Sequence, residues 1–131
     1  MGFIKSINNA FVKCLDFKTR ATRSEFWYFY LFTTAVGFVG LQLDIFFQLQ
    51  LIDILLSNSS ESIVLGPVYI FLYFLFLIPS FSLYFRRLHD VNRSGWWLLI
   101  VLIPFIGIIT IIFFMCLKGT EGNNHFGAAS S

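Results

Sequence analysis

Three stretches of this chain, Phe26 to Leu43, Ile63 to Phe85 and Trp96 to Leu117, contain no charged residue. At about 1.5 Å of rise per residue, a helix over the shortest of them is roughly 27 Å long, close to the roughly 30 Å of a bilayer's hydrocarbon core. A water-soluble chain needs about a quarter of its residues charged to cover its outside, and here only 12% are charged against 57% apolar. The outside of the fold is therefore lipid, where backbone polar groups are satisfied only in helices or closed barrels. Apolar runs of this length select helix. The expected class is all-α: a single polytopic membrane domain with about three transmembrane helices. A net charge of +2 gives no footing to nucleic-acid binding.

The segments before and between the apolar runs refine this layout. Phe3, Ile7, Phe11 and Leu15 recur at spacings of four, with Lys5, Asn8, Asn9, Lys13 and Asp16 largely on other faces. That periodicity predicts a short amphipathic helix at the membrane interface, lying in the headgroup plane or packed on a neighbouring subunit. Thr22 and Glu25 have the spacing of a capping box and predict a helix start. Trp27, Tyr28 and Tyr30 then form an interfacial aromatic belt. Asp44, Gln48, Gln50 and Asp53 suggest that the first span ends and an interfacial or protruding helix follows, before a loop at Ser57 to Ser62. Pro79 predicts a kink in the second span. Pro104 and Gly107 leave two readings of the third: one kinked helix, or two half-helices that turn back inside the protein. The organisation expected is a basic, amphipathic segment over 1–25, transmembrane segments over 26–43, 63–85 and 96–117, and a polar tail over 118–131. Cys14 and Cys116 read as unpaired small hydrophobes.

Orientation follows from Lys and Arg. Lys5, Lys13, Lys18, Arg20 and Arg23 precede the first span, Arg86, Arg87 and Arg93 follow the second, and Asp44 to Glu61 contains neither residue type. The positive-inside rule puts the N-terminus and the second basic segment in the cytoplasm.

Two sets of polar residues are candidates for function. Arg20, Arg23 and Glu25, with Arg86, Arg87, His89, Asp90 and Arg93, form one set beneath the membrane, suited to lipid phosphate, a nucleotide or the acidic segment of a partner. Much of it has a structural reason as well: Arg86 and Arg87 suit a helix C-terminus, Arg86 and Asp90 stand four apart and can pair, and Ser94-Gly95 supplies a turn before the Trp96-Trp97 anchor. A His-Asp pair without a nucleophile or metal-ligand spacing argues for salt bridges and anchoring over an active site. The second set, Asp44 and Gln48, shares a helical face and is the possible pore lining. Asp44 lies near the outer end of its span, which favours an interfacial residue reaching solvent. No cofactor or metal is expected.

Three segments resemble a family of small bacterial inner-membrane proteins known as domain of unknown function 805. They are Arg20-Ala21-Thr22-Arg23-Ser24-Glu25-Phe26-Trp27; Arg86-Arg87-Leu88-His89-Asp90 with Arg93-Ser94-Gly95-Trp96-Trp97; and Gly119-Thr120-Glu121-Gly122-Asn123 ending in Phe126-Gly127. The family's tail commonly has arginine where His125 stands, and Pro-Asp-Pro where Ala128-Ala129 begins. The resemblance implies an inner-membrane location and no established activity. The function expected is that of a non-enzymatic membrane protein whose cytoplasmic cluster binds anionic lipid or a protein partner, as a homo-oligomer or accessory subunit. A small channel with its pore between subunits, and an enzyme acting on a lipid phosphate with His89 or Asp90 in acid-base work, are the alternatives.

Overall fold

The computed structural model describes residues 2–55 and 66–128, with side chains up to Gln48 in the first stretch. The expected loop at Ser57 to Ser62 lies outside the described residues. Helix α1 is Phe3–Val12, α2 Arg23–Leu55 and α3 Pro67–Asp90; a 3-10 helix, Gly95–Leu102, and α4, Ile106–Cys116, complete the chain. The described residues contain no strand, and a lone bridge joins Asn124 to Gly127. Two compact units result: one from the residues up to Tyr30 together with Ile78 onward, the other from Leu31–Leu77.

Helix α2 begins where the Thr22–Glu25 spacing predicts, with Thr22 Oγ1 accepting from the Glu25 amide at 3.1 Å. It does not stop at Asp44 but continues to Leu55. Its apolar portion, Arg23–Gln48, and α3 are, among the described residues, the two helices long and apolar enough to cross a membrane. At 26 and 24 residues they measure roughly 39 and 36 Å. Helix α3 runs on through Pro79.

In the unit of Leu31–Leu77, Gly37 faces the Tyr69 ring and Gly40 faces Leu72, so two missing side chains let α2 and α3 approach closely. The start of α3 is capped from outside its own sequence. Pro67 has no amide hydrogen to satisfy, Gly66 has no side chain to cap with, and Asp44 accepts from the amides of Val68 (3.1 Å) and Tyr69 (2.7 Å). Asp44 is 3% exposed. Solvent is therefore not what it reaches, contrary to the sequence expectation; its charge meets the positive end of α3.

Within the other unit, α1 lays Ser6 and Ala10 against the protein. Its end and the following turn are bolted to α3 by Ser82, whose hydroxyl is shared between the carbonyls of Lys13 (2.8 Å) and Asp16 (2.6 Å). Helix α3 stops in a Schellman arrangement: Asn92 adopts φ 58°, its amide donates to His89 O at 3.0 Å, and the Arg93 amide donates to Leu88 O at 2.8 Å.

The third apolar segment is broken, and the chain takes the folded-back reading. The 3-10 helix and α4 each measure about 16 Å, half a hydrocarbon core. They pack together as a hairpin across Pro104 and Phe105, the latter at φ 63°. Gly107 lies so close to the Ile100 carbonyl that a Cβ has no room. Both ends of the hairpin return to the C-terminal turn of α3, where Leu117 O accepts from Arg87. Among the described residues, α2 and α3 are thus the helices of crossing length.

A buried ionic cluster as the candidate functional site

The residues following α1, the first turn of α2, the last turn of α3 and the tail after α4 converge on three guanidiniums and two carboxylates. Arg86 and Arg87 are fully buried; Arg20, Glu25 and Asp90 are nearly so. An extended segment brings Arg20 in, fastened to α3 by the Ala21 amide donating to Arg86 O at 3.0 Å.

Asp90 is the hub. One of its oxygens accepts from Arg20 Nε (3.1 Å) and pairs with Arg20 Nη2 (3.0 Å), and the other pairs with Arg87 Nη1. The tail fills the remaining donors of Arg20: Nη1 reaches Gly122 O at 2.7 Å and Gly127 O at 3.3 Å, and Nη2 reaches Thr120 O at 2.6 Å and its hydroxyl at 3.0 Å. Thr120 in turn donates its amide and hydroxyl to Asp90 O at 2.8 and 3.0 Å. Gly119 passes so close to the Asp90 carboxylate that only glycine fits. Arg87 donates to the carbonyls at the end of α4, Leu117 and, at 3.5 Å, Met115. These carbonyls carry the negative end of the helix dipole and offset the excess of buried cation over buried anion.

Glu25 binds Arg86 at 2.9 Å across 61 residues of sequence. The expected Arg86–Asp90 pair is therefore replaced by two others, Arg86 with Glu25 and Arg87 with Asp90. Arg86 Nε and Nη2 have no hydrogen-bond partner among the described residues. His89 stacks flat on Phe126, with centroids 4.2 Å apart and planes at 6°, and its Nδ1 faces Thr19 O at 3.3 Å. Asn124 holds the tail in register through His89 O at 2.9 Å and Thr120 Oγ1 at 2.6 Å.

Arg23 and Arg93 behave differently, for both are exposed. Arg23 donates to Cys116 O at 3.3 Å. The Arg93 guanidinium lies 5.3 Å from the Trp97 ring centre and 5.7 Å from that of Phe114. Asp44 and Gln48 belong to the other unit, where Asp44 is the cap of α3. Sequence reasoning missed the tail's part in the cluster. Gly119, Thr120, Gly122, Asn124 and Gly127 read as a turn-forming segment past the membrane, and the available signal was their number of glycines.

Just outside the cluster, Asp16 closes the turn after α1 by accepting from the amides of Lys18 (3.0 Å) and Thr19 (3.1 Å) and from the Thr19 hydroxyl (2.5 Å). Partial burial alone pushes its pKa up, but these hydrogen bonds outweigh that effect and hold the carboxyl below its ordinary value.

Two helices of crossing length, a folded-back hairpin and an ionic cluster closed by the tail define a small all-helical protein. Residues 14–128 match the family described as "Protein of unknown function (DUF805)", and the chain belongs to it. It is similar to the "Inner membrane protein YhaH" of Escherichia coli (strain K12), 42% identical over 115 residues that cover 86% of this chain and 85% of that protein. It is also similar to the "Inner membrane protein YhaI" of the same strain, 36% identical over 113 residues, 86% of this chain and 84% of that one. With these relatives it is a bacterial inner-membrane protein. No solved structure matches the chain.

Proposed function

We propose that this protein is a non-enzymatic, multi-pass inner-membrane protein with its N-terminus in the cytoplasm, and that its exposed arginines hold the phosphates of anionic lipid. The observation that carries the reading is the division among the arginines of the cluster. Arg20, Arg86 and Arg87 are buried and engaged with internal partners, so they brace the fold. Arg23 and Arg93 are exposed, and each stands four residues before an exposed tryptophan, Trp27 and Trp97. A guanidinium beside an indole is the pattern of a bilayer interface, where the ring sits at headgroup level and the cation meets phosphate. The distribution of Lys and Arg sets this face in the cytoplasm.

The pore reading takes Asp44, Gln48 or the broken third segment as the lining, and the Asp44 carboxylate is occupied by two backbone amides. The enzyme reading takes His89 or Asp90 for acid-base work; the His89 ring lies buried against Phe126, and the Asp90 carboxylate is paired with Arg20 and Arg87.

The test is a lipid-binding titration of the purified protein in neutral and anionic nanodiscs at two salt concentrations. Each cation near an anionic surface contributes about 1 kcal/mol, so Arg23→Ala/Arg93→Ala should lower the preference for anionic lipid roughly thirtyfold, with folding intact. Undiminished preference in that variant would overturn the assignment. Association as a homo-oligomer or accessory subunit belongs to the same proposal and is read from the mass of the complex in the same nanodiscs.

A further inference from the structure

We infer that α1 is half-immersed in the cytoplasmic leaflet, lying in the membrane plane with its Ile4 flank against lipid acyl chains. The inference takes the cytoplasmic orientation from the proposal above, but the immersion itself does not depend on anionic lipid. Three observations within the unit that contains α1 support it.

The first is direction. Phe3 and Phe11 lie eight residues apart, about 12 Å along the helix, yet their rings meet those of consecutive residues of α2: Phe3 packs edge-on against Tyr28 and Phe11 against Phe29, each at 5.8 Å. A helix running alongside α2 would meet residues about eight apart. Helix α1 therefore crosses α2, and because α2 is of membrane-crossing length, α1 lies in the plane.

The second is depth. Tyr28 and Phe29 stand five and six residues beyond the exposed Arg23, or about 8 Å along α2, and just past the exposed Trp27. Interfacial helices bury their apolar side about 5–10 Å into the boundary between headgroups and acyl chains. Helix α1 is thus at the level where acyl chains begin.

The third is the division of the helix surface. Ser6 and Ala10, four apart, are fully buried against the protein. Lys5, Asn8 and Asn9 form a mainly polar flank, with Val12 of the last turn among them. Ile4, Ile7 and Phe11 form the third, on which Ile4 is 81% exposed, and Leu15 in the turn beyond is 75% exposed. One flank faces protein, one faces water, and the apolar flank is at bilayer depth with charge only on the side away from it. Acyl chains satisfy that flank without requiring any other protein.

The test uses the protein with both native thiols removed (Cys14→Ser/Cys116→Ser) and a single fluorophore attached at Ile4→Cys or, about 100° around the helix on the polar flank, at Lys5→Cys, both exposed enough to accept a label. Each is reconstituted in phosphatidylcholine nanodiscs with and without brominated acyl chains, one protein copy per disc. Quenching several-fold stronger at position 4 than at position 5 is expected, and should be the same when phosphatidylglycerol is added. Equal, weak quenching at both positions would put α1 in water and overturn the inference. Protection at position 4 that appears only when discs hold two or more copies would overturn it in favour of a second protein chain. Because the measurement is made in neutral lipid, failure of the arginine–phosphate reading leaves these outcomes unchanged.

Discussion

Replacing Asp90 by alanine removes the one carboxylate shared by Arg20 and Arg87. Both guanidiniums keep hydrogen bonds to carbonyls, Arg20 to Thr120, Gly122 and Gly127 and Arg87 to Leu117, so the loss falls on charge rather than on hydrogen-bond number. With side-chain exposures of 2% and 0% for the two arginines, water does not replace the missing anion. Removing one partner of a buried pair costs about 3–5 kcal/mol, against at most about 1 kcal/mol for a solvated one. Two cations lose their counter-charge here, so the upper part of that range is expected. Asp90→Asn keeps the shape and isolates the charge; it should fall between the wild type and Asp90→Ala. Equilibrium unfolding in mixed micelles, followed by helical circular dichroism and by tail proteolysis, reads the difference. A loss below about 0.5 kcal/mol in both variants, the range of ordinary surface substitutions, would show the cluster to be solvated and refute the argument for a brace.

Three further outcomes are expected. Asp44→Ala removes the cap of α3 and should cost about 1–2 kcal/mol in the same unfolding assay, with amide exchange rising first at Val68 and Tyr69. Gly107→Ala forces a methyl against the Ile100 carbonyl and should cost about 1–3 kcal/mol in the same unfolding assay. Because the Asp16 carboxyl is held below its ordinary 3.8, the stability it supplies is present above that pH and disappears as pH falls through the lower folded value. An acid titration of stability should lose that limb in Asp16→Asn.

The sequence marked local features well and distant partners poorly. The Thr22 cap needed only three residues of spacing and is present, but the reciprocal half of the box is not, because the Glu25 carboxylate is drawn to Arg86, a partner that no helical periodicity points to. The same limit explains Asp44. As part of a periodic pattern it looked interfacial, whereas the amides it caps lie 24 and 25 residues further on, in the first turn of another helix. Charge patterning picked out the arginines as a group without sorting the buried from the exposed. That sorting depends on the tail, where the acceptors are backbone carbonyls and leave no trace in side-chain chemistry. The hairpin was legible as an ambiguity: Pro104 and Gly107 break the segment, but only the close approach of Gly107 to Ile100 shows that it turns back.

The tail's grip on Arg20 also sets a timetable for biogenesis. Arg20 leaves the ribosome early, and the carbonyls that complete its shell are 100 to 107 residues behind it. At roughly 5–20 residues per second, the arginine waits some 5–20 s for them. Until then Asp90, 70 residues on, is the acceptor available to Arg20, and the carbonyls of Thr120, Gly122 and Gly127 are missing from its shell. The cluster therefore closes only once the chain has been synthesised through its glycine-rich tail.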